Sequence, residues 1–324
     1  MKMNTEIPTA YVEQCVRVMQ SVQKEVGKAV KGKDDVIEIA LLAILARGHI
    51  LLEDIPGVGK TTLALAFSRA MQLQYNRVQF TPDVMPSDVT GYSIYKKTTD
   101  HMEFVPGAVM CNLFLADEIN RTSSKTQSAL LQVMEEGKVT VDLKTYELPK
   151  PFTVIATQNP VGYAGTQLLP ESQLDRFVVR LSMGYPDAGS ELEILKTKNG
   201  IDAMEHIRPV IDGDGIRKMQ EIADKVYVND EIYQYLIDLV GKTRKHPLIE
   251  LGASPRGTIA LLKMAKAYAL YSGRSFVIPS DVGRVLQPCL AHRLILKAKA
   301  KASGTTGESL VREIQREVAA PKIG

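Results

Sequence analysis

The sequence has few of the residues that build disulfide frameworks and zinc sites. Its 324 residues include three cysteines and five histidines, and Cys15, Cys111 and Cys289 lie far apart with no C-x-x-C pair. A disulfide scaffold and a structural zinc site are therefore not expected, and a reducing compartment fits this composition better. We expect each cysteine to be a small buried apolar residue.

Long apolar runs and a strong net charge are also missing from the sequence. The longest clean apolar run, residues 39–46, is far shorter than the roughly 20 residues that span a bilayer. The first residues lack the apolar stretch of a secretory signal, so we expect a cytoplasmic protein without membrane insertion. The net charge of +3 gives no strong case for nucleic acid or an anionic surface as the partner.

The first half of the sequence alternates short apolar runs with helical patterns. This alternation is typical of an α/β protein, in which helices cover a parallel sheet. A helix is predicted from Lys60 to about Met71, directly after the first apolar run. The five runs of strand length are residues 49–54, 77–80, 112–117, 152–157 and 177–183.

Two other segments and the second half of the chain have different patterns. Residues 91–109 and 137–148 alternate around polar turns and predict two β-hairpins inserted between core elements. The length favours two domains, with a core over residues 1–186 and a helical domain over residues 187–324. Residues 296–307 are basic and then flexible in composition, and we expect them to be solvated. The helices predicted beyond Pro186 are residues 190–198, 230–246, 254–273 and 279–296.

A glycine-containing loop joins the first predicted strand to its helix. The run "GVGKT" completes the phosphate-binding pattern G-x-x-x-x-G-K-[ST], but Asp54 occupies the position of its first glycine. Gly57 and Gly59 would let the backbone approach phosphate closely, Lys60 would face the phosphate oxygens, and Thr61 would offer its hydroxyl to Mg²⁺. Asp54 is compatible with this loop if its carboxylate caps the turn and is directed away from the phosphates.

Polar residues at the ends of other predicted elements complete a candidate site for ATP hydrolysis. Asp117 and Glu118 end the third apolar run, where Asp117 would hold Mg²⁺ through water and Glu118 would polarise the attacking water. Asn159 follows the fourth run and could bind the γ-phosphate or the water. Arg176 precedes the fifth run and Arg256 begins a lid helix; each could meet phosphate oxygens, with a surface salt bridge as the alternative.

These pieces, in this order and with the two hairpins, resemble the AAA+ ATPases and more narrowly the MoxR family. The resemblance extends from about Val30 to Leu296 and is highly specific over residues 51–183. An acidic residue at the position of Asp54 resembles a variant that this family uses. The motifs are "LLEDIPGVGKT", "FTPDVMPSDVTG", "FVPGAV", "LADEINRTSSKTQSALLQVMEEGKVTV", "VIATQNP", "LPESQLDRF" and "ASPRGTIALLKMAKAYAL".

The resemblance implies a fold, cofactors and residue roles. The fold is an AAA+ P-loop three-layer α/β/α nucleotide domain with a parallel sheet and two hairpin insertions, followed by an all-helical lid. The cofactors are ATP or ADP and Mg²⁺, the latter held by Thr61 and Asp117. Arg176 is the implied arginine finger and Arg256 the implied sensor 2. The implied catalytic residues are Glu118, Lys60, Asn159 and Arg176. The implied nucleotide-binding residues are Pro56, Gly57, Val58, Gly59, Lys60, Thr61, Thr62, Asp117 and Arg256.

The resemblance also implies ATP hydrolysis in a ring of subunits, expected to be a hexamer. The turnover would drive chaperone-like maturation or activation of client protein complexes, often with a partner that carries a von Willebrand factor A domain. Three alternatives stay open: the motor subunit of a metal chelatase, a DNA-associated AAA+ motor, and a scaffold that hydrolyses nothing. Two questions about arginines also stay open. Arg256 could act in cis or in trans, and Arg121 could act across an interface or form an ordinary salt bridge.

Overall fold

The computed structural model describes residues 7–98, 100–159, 169–197 and 203–322, so residue 198 of the predicted helix 190–198 and Pro160 of "VIATQNP" lie outside it. The strands are β1 (Ile50–Glu53), β2 (Tyr75–Gln79), β3 (Gly91–Lys96), β4 (His101–Pro106), β5 (Leu113–Asp117), β6 (Lys138–Val141), β7 (Lys144–Glu147), β8 (Thr153–Gln158), β9 (Val179–Leu181), β10 (Ile249–Leu251) and β11 (Ile295–Leu296). The α-helices are α1 (Thr9–Gly27), α2 (Asp34–Leu45), α3 (Lys60–Ala70), α4 (Pro86–Thr90), α5 (Ser124–Glu136), α6 (Glu171–Leu174), α7 (Ala188–Thr197), α8 (Gly213–Asp224), α9 (Asp230–Lys245), α10 (Pro255–Tyr271), α11 (Pro279–Leu290), α12 (Ala298–Ala302) and α13 (Gly307–Glu317).

Five parallel strands form the central sheet in the order β2-β5-β8-β1-β9. Every residue of β5 is buried, as expected for a strand in a parallel sheet that is covered on both faces. Successive side chains point to opposite faces, so Leu52 and Leu115 join one hydrophobic cluster while Leu51 and Phe114 join the other. The predicted parallel sheet and the three-layer α/β/α arrangement are confirmed.

The strand register aligns the carboxyl ends of β2, β5, β8 and β1. Glu53 pairs with Gln158 across β1 and β8, and Gln79 pairs with Asp117 across β2 and β5. The loops and turns that follow these strands therefore lie at one edge of the sheet, where ligands bind in open α/β folds. This edge carries Asp117, Glu118 and Asn159 of the predicted site.

Both predicted hairpins are present in the structure. The first pairs β3 with β4 between α4 and β5, and the second pairs β6 with β7 between α5 and β8. Phe104 and Tyr146 stack with ring centroids 3.9 Å apart and planes inclined by 12°, so the two hairpins touch each other. Leu143, at the turn of the second hairpin, is fully exposed.

The second half of the chain is mostly helical, but it departs from the sequence prediction, most clearly after residue 290. A helix was predicted over residues 279–296, but α11 ends at Leu290, and Ile295 and Leu296 form β11, which pairs antiparallel with β10. After α11, the Arg293 side chain donates to the carbonyl oxygens of Cys289 and Phe177 and thereby contacts the first half of the chain. The basic segment 296–307 is mostly exposed, as predicted, but it contains α12, and Leu310, Val311 and Ile314 of the following α13 are buried.

The packing is continuous between the two halves of the chain. One hydrophobic cluster includes Ile44 and Val179 of the first half together with Leu261 and Val285 of the second. The division after residue 186 therefore stays a prediction about folding units. Among the described residues, no helix combines the length and the apolar character needed to cross a membrane.

Candidate active site

The loop between β1 and α3 has the backbone that its glycines predict. Gly57 has φ +86° and Gly59 has φ +95°, a left-handed region that L side chains rarely adopt. A Cβ atom on Gly57 would meet nothing within 4 Å, so glycine is required there by the backbone angle and not by lack of space. The loop positions Pro56 and Val58 and the first-turn residues Thr61 and Thr62 are all at least partly exposed. The loop is thus open to a ligand at the amino end of α3.

The carboxylate of Asp54 connects the loop to the segment that follows β9. One oxygen accepts hydrogen bonds from Ser182 Oγ at 2.9 Å and from the Gly184 backbone N–H at 2.7 Å. The other accepts from the backbone N–H of Ile55 at 3.0 Å. Asp54 is buried, with 8% of its surface exposed, and all these partners are protein groups. The residue that departs from the loop pattern therefore anchors the turn.

Lys60 lies across the base of the loop. Its ammonium donates to the carbonyl oxygens of Asp54 at 2.6 Å and Ile55 at 3.3 Å, and to Asn159 Oδ1 at 3.3 Å. Burial lowers the pKa of Lys60 below its ordinary value, although the nearby carboxylates of Asp54, Asp117 and Glu118 oppose this shift. Those carboxylates favour the charged ammonium in a site where burial disfavours it.

The two acids at the end of β5 are oriented by a single hydroxyl group. Thr157 Oγ1 donates to Asp117 Oδ1 at 2.6 Å and accepts from the backbone N–H of Glu118 at 2.8 Å. Glu118 has φ +57°, an unusual conformation for a residue with a side chain. Its Oε1 accepts from Asn159 Nδ2 at 2.9 Å. The predicted residues Lys60, Asp117, Glu118 and Asn159 are therefore in one hydrogen-bonded group.

Two arginines pair with these acids: Arg121, whose role the sequence leaves open, and Arg77, which no sequence motif indicates. Arg121 Nη1 lies 2.7 Å from Glu118 Oε2, so the salt-bridge alternative for Arg121 is present in this chain. Arg77 on β2 binds Asp117 Oδ2 through Nη2 at 2.7 Å. Nothing in the local sequence pattern indicates Arg77, because its contact depends on the pairing of β2 with β5.

The charge state of Glu118 follows from these contacts. Burial raises the pKa of its carboxyl group, but the hydrogen bonds from Arg121, Asn159 and Gln79 and the positive charge of Arg121 together outweigh burial. The pKa therefore lies below the ordinary value, and Glu118 is a carboxylate at neutral pH. An ionised carboxylate can accept a proton from water, as the predicted catalytic role requires.

The donor set fits magnesium held together with a nucleotide. Within the described ranges, no three His, Cys, Asp or Glu side chains are grouped so that they could hold a metal ion. Magnesium is commonly bound by one or two protein oxygens plus substrate phosphates, and Thr61 and Asp117 are the predicted oxygen donors.

Arg176 and Arg256 lie away from this group, and both contact Glu135. The Val178 N–H donates to the carbonyl of His49, just before β1, so Arg176 is near the amino ends of the strands. The glycine loop follows the carboxyl end of β1, about 13 Å further along a strand of four residues. The structure thus brings the other predicted catalytic residues together at the carboxyl ends of the strands. Arg176, and Arg256 which shares Glu135 with it, lie toward the amino ends of the strands instead.

Comparison with known protein families agrees with this arrangement. Residues 49–179 match the model of the ATPase family associated with various cellular activities (AAA). Residues 241–314 match the model of the AAA lid domain. The first match contains the glycine loop and the polar ends of β5 and β8, and the second contains Arg256.

The chain is also similar to individual proteins over almost its whole length. It is 47% identical over 312 residues to the uncharacterised protein YeaC of Bacillus subtilis, covering 96% of this chain and 98% of YeaC. It is 37% identical over 317 residues to Chaperone MoxR1 of Mycobacterium tuberculosis, covering 95% of this chain and 84% of that protein. The crystal structure of a protein from Cytophaga hutchinsonii matches this chain with a TM-score of 0.88 at 36% identity. The match covers 96% of this chain and 97% of that protein.

Proposed function

The chain belongs to the MoxR family of AAA+ ATPases, and we propose that it hydrolyses ATP in a ring and thereby remodels client proteins. The observation that carries the proposal is the amide of Asn159. Its oxygen accepts from Lys60 and its nitrogen donates to Glu118, so one side chain connects the glycine loop with the acid that activates water. An amide in this place can position water without competing for its proton.

We assign the steps of hydrolysis to this chain's own residues. Glu118 accepts the proton of the attacking water, and Asn159 orients that water against the γ-phosphate. Lys60 and the backbone of the loop from Pro56 to Thr62 bind the phosphates. Thr61 and Asp117 would hold Mg²⁺ together with ATP, and the ion would supply positive charge to the phosphate oxygens. The pKa of Glu118 supports its role, since the group is ionised before water binds.

The position of Arg176 supports assembly into a ring. An arginine that stabilises phosphoryl transfer must contact the phosphate oxygens. Arg176 lies near the amino ends of the strands, whereas its own glycine loop lies at their carboxyl ends. We therefore propose that Arg176 completes the site of a neighbouring subunit, and that the ring has six members. A repeated head-to-tail contact of this kind forms a ring when the rotation between neighbouring subunits closes.

The client and its partners are proposed from the family and from the exposed hairpins. One relative carries the name Chaperone MoxR1, and we propose chaperone-like action here as well, with a von Willebrand factor A domain protein as the partner. Tyr95, Met102 and Leu143 are exposed apolar side chains on the two hairpins, which suits contact with a protein client. We place this activity in the cytoplasm, with residues 1–186 as the ATPase core and residues 187–324 as the lid.

The test is ATP hydrolysis per subunit over a range of protein concentrations, with the mass of the assembly measured in the same buffers. The variants are Glu118→Gln and Arg176→Ala, and the control is Arg217→Ala, which removes an exposed arginine paired with Asp214. We expect the wild-type and control rates to rise as the ring forms, and both other variants to lose at least about 100-fold. Activity that is independent of concentration and survives Arg176→Ala would contradict the ring mechanism.

The same assay separates the alternatives. Stimulation by DNA that falls steeply with salt would favour a DNA motor. Stimulation that requires a chelatase partner and a porphyrin would favour a chelatase subunit. No hydrolysis by the wild-type protein, with or without a partner, would favour the scaffold.

A further inference from the structure

The carboxylate of Glu135 contacts two arginines from separate parts of the chain. Glu135 lies near the end of α5, and its Oε2 is 3.5 Å from Arg176 Nη2. Its other oxygen, Oε1, accepts a hydrogen bond from Arg256 Nη2. Arg176 belongs to the turn before β9, and Arg256 belongs to the first turn of α10. One acid therefore bridges the ATPase core and the lid.

A second contact connects the same two segments beside this bridge. Asp175 Oδ2 accepts from Ser254 Oγ at 2.8 Å, and Ser254 in turn caps α10 by accepting from the backbone N–H of Gly257. Asp175 Oδ1 accepts from Arg293 Nε at 2.8 Å, and Arg293 is buried. The residues that immediately precede Arg176 and the first turn of α10 are thus held together by partly buried polar contacts. Because these two segments are fixed to each other, each arginine can move mainly by rotation of its own side chain.

Electrostatics gives Glu135 a role in holding the two guanidinium groups close. Two like charges at short range repel each other, and a carboxylate shared between them offsets that repulsion. One negative charge against two positive charges leaves a net positive charge. The side chains of Arg176 and Arg256 remain 29% and 43% exposed, so this charge is accessible to an anion.

Arg176 also keeps unused hydrogen-bonding capacity. Its Nε is buried and has no hydrogen-bond partner among the residues that the structure describes, and its ion pair with Glu135 is long at 3.5 Å. A buried donor without a partner is uncommon in folded proteins and calls for an explanation. The guanidinium is therefore held loosely by Glu135, and its exposed part could turn toward a phosphate oxygen of a neighbouring subunit.

We propose that Glu135 is a positioning residue that presents Arg176 and Arg256 as a pair to the nucleotide of the neighbouring subunit. This inference rests on the proposed ring mechanism, and it assigns Arg256 to the same neighbour as Arg176. The ordinary role for such an exposed acid is a surface salt bridge, whose loss changes little. The two roles differ in what happens to hydrolysis when the charge of Glu135 is removed.

The experiment compares Glu135→Gln with Glu136→Gln. Glutamine keeps the size of the side chain and removes its charge, and Glu136 is the adjacent exposed acid, which accepts a hydrogen bond from Gln132. We expect Glu135→Gln to assemble normally and bind ATP within about twofold of wild type, but to lower kcat at least about tenfold, since finger arginines contribute larger factors still. Glu136→Gln should match wild type. Equal rates for both variants, with Arg176→Ala inactive, would overturn the inference alone.

Mixed rings separate positioning from a structural defect. Glu135→Gln subunits keep an intact hydrolytic site, whereas Glu118→Gln subunits keep an intact arginine pair. In a random equal mixture, about a quarter of the interfaces combine both intact halves, so activity should recover to about a quarter of the wild-type rate. No recovery, or failure of Glu135→Gln to assemble, would overturn the inference. If Arg176→Ala keeps full activity, the ring mechanism itself fails and this inference fails with it.

Discussion

Replacing Asp54 by glycine would restore the first glycine of the phosphate-binding pattern, and we expect this change to damage the protein. The carboxylate accepts three hydrogen bonds, from Ser182, Gly184 and Ile55, while it is 8% exposed. Glycine removes all three and adds backbone freedom to a loop whose other glycines already have positive φ. The variant therefore distinguishes an anchoring residue from a tolerated departure.

The magnitude follows from the hydrogen bonds that cannot be replaced. Hydrogen bonds to a charged acceptor contribute about 1.5–3 kcal/mol each, and water can reach Ser182, which is exposed. The Gly184 N–H would lose its hydrogen bond to the carboxylate. The added glycine costs a further contribution of about 0.5–1 kcal/mol through its backbone entropy. Removing the buried carboxylate also removes the cost of its desolvation, which offsets part of this loss. We expect a net decrease of about 2–4 kcal/mol in the free energy of unfolding, or about 4–8 °C in Tm.

The assay is urea and thermal unfolding of the nucleotide-free protein, together with ATP affinity measured by titration. Ser182→Ala is the matched control, since it removes one partner and should cost about 1 kcal/mol. The double variant should be less than additive, because both changes remove the same contact. We expect ATP affinity not to improve in Asp54→Gly. A variant that is as stable as wild type, or that binds ATP more tightly, would refute the anchoring role.

Two further predictions follow from charge and burial. Arg121→Ala should shift the acid limb of the kcat/KM profile to higher pH, because the hydrogen bond from Arg121 is the largest cause that lowers the pKa of Glu118. A pH profile that does not move would contradict this prediction. Burial raises the pKa of the thiols to about 11 for Cys15 and about 12 for Cys111 and Cys289. A disulfide reagent at about pH 8 should therefore label these thiols only after the protein unfolds. Rapid labelling of the folded protein would show this expectation to be wrong.

Much of the core could be predicted because its information is local. The run Leu113–Asp117 is continuously apolar until its final acid, so it indicated both a buried strand and the polar residue at its end. The hairpins were recognisable from alternation around polar turns. The burial of the three cysteines also agreed with expectation.

The contacts around the site were less predictable because they join distant residues. Arg77 reaches Asp117 only through strand pairing, and Thr157 orients two acids that lie 40 and 39 positions away along the chain. The short pair of β10 and β11 was missed for a similar reason. A two-residue strand has too few side chains to show alternation. The helical pattern of apolar residues in α11 also continues over the residues of β11, so no boundary is visible in the sequence.

The sequence by itself determined the family, the glycine loop and the identity of the polar residues at the strand ends, since each depends on residue types at short, fixed spacing. Tertiary structure decided what those residues contact. It directed the Asp54 carboxylate to Ser182 and Gly184, and it separated Arg176 from its own loop by the length of a strand. Sheet order and strand direction cause these outcomes, because they bring together or keep apart side chains whose distance along the chain says nothing of their distance in space.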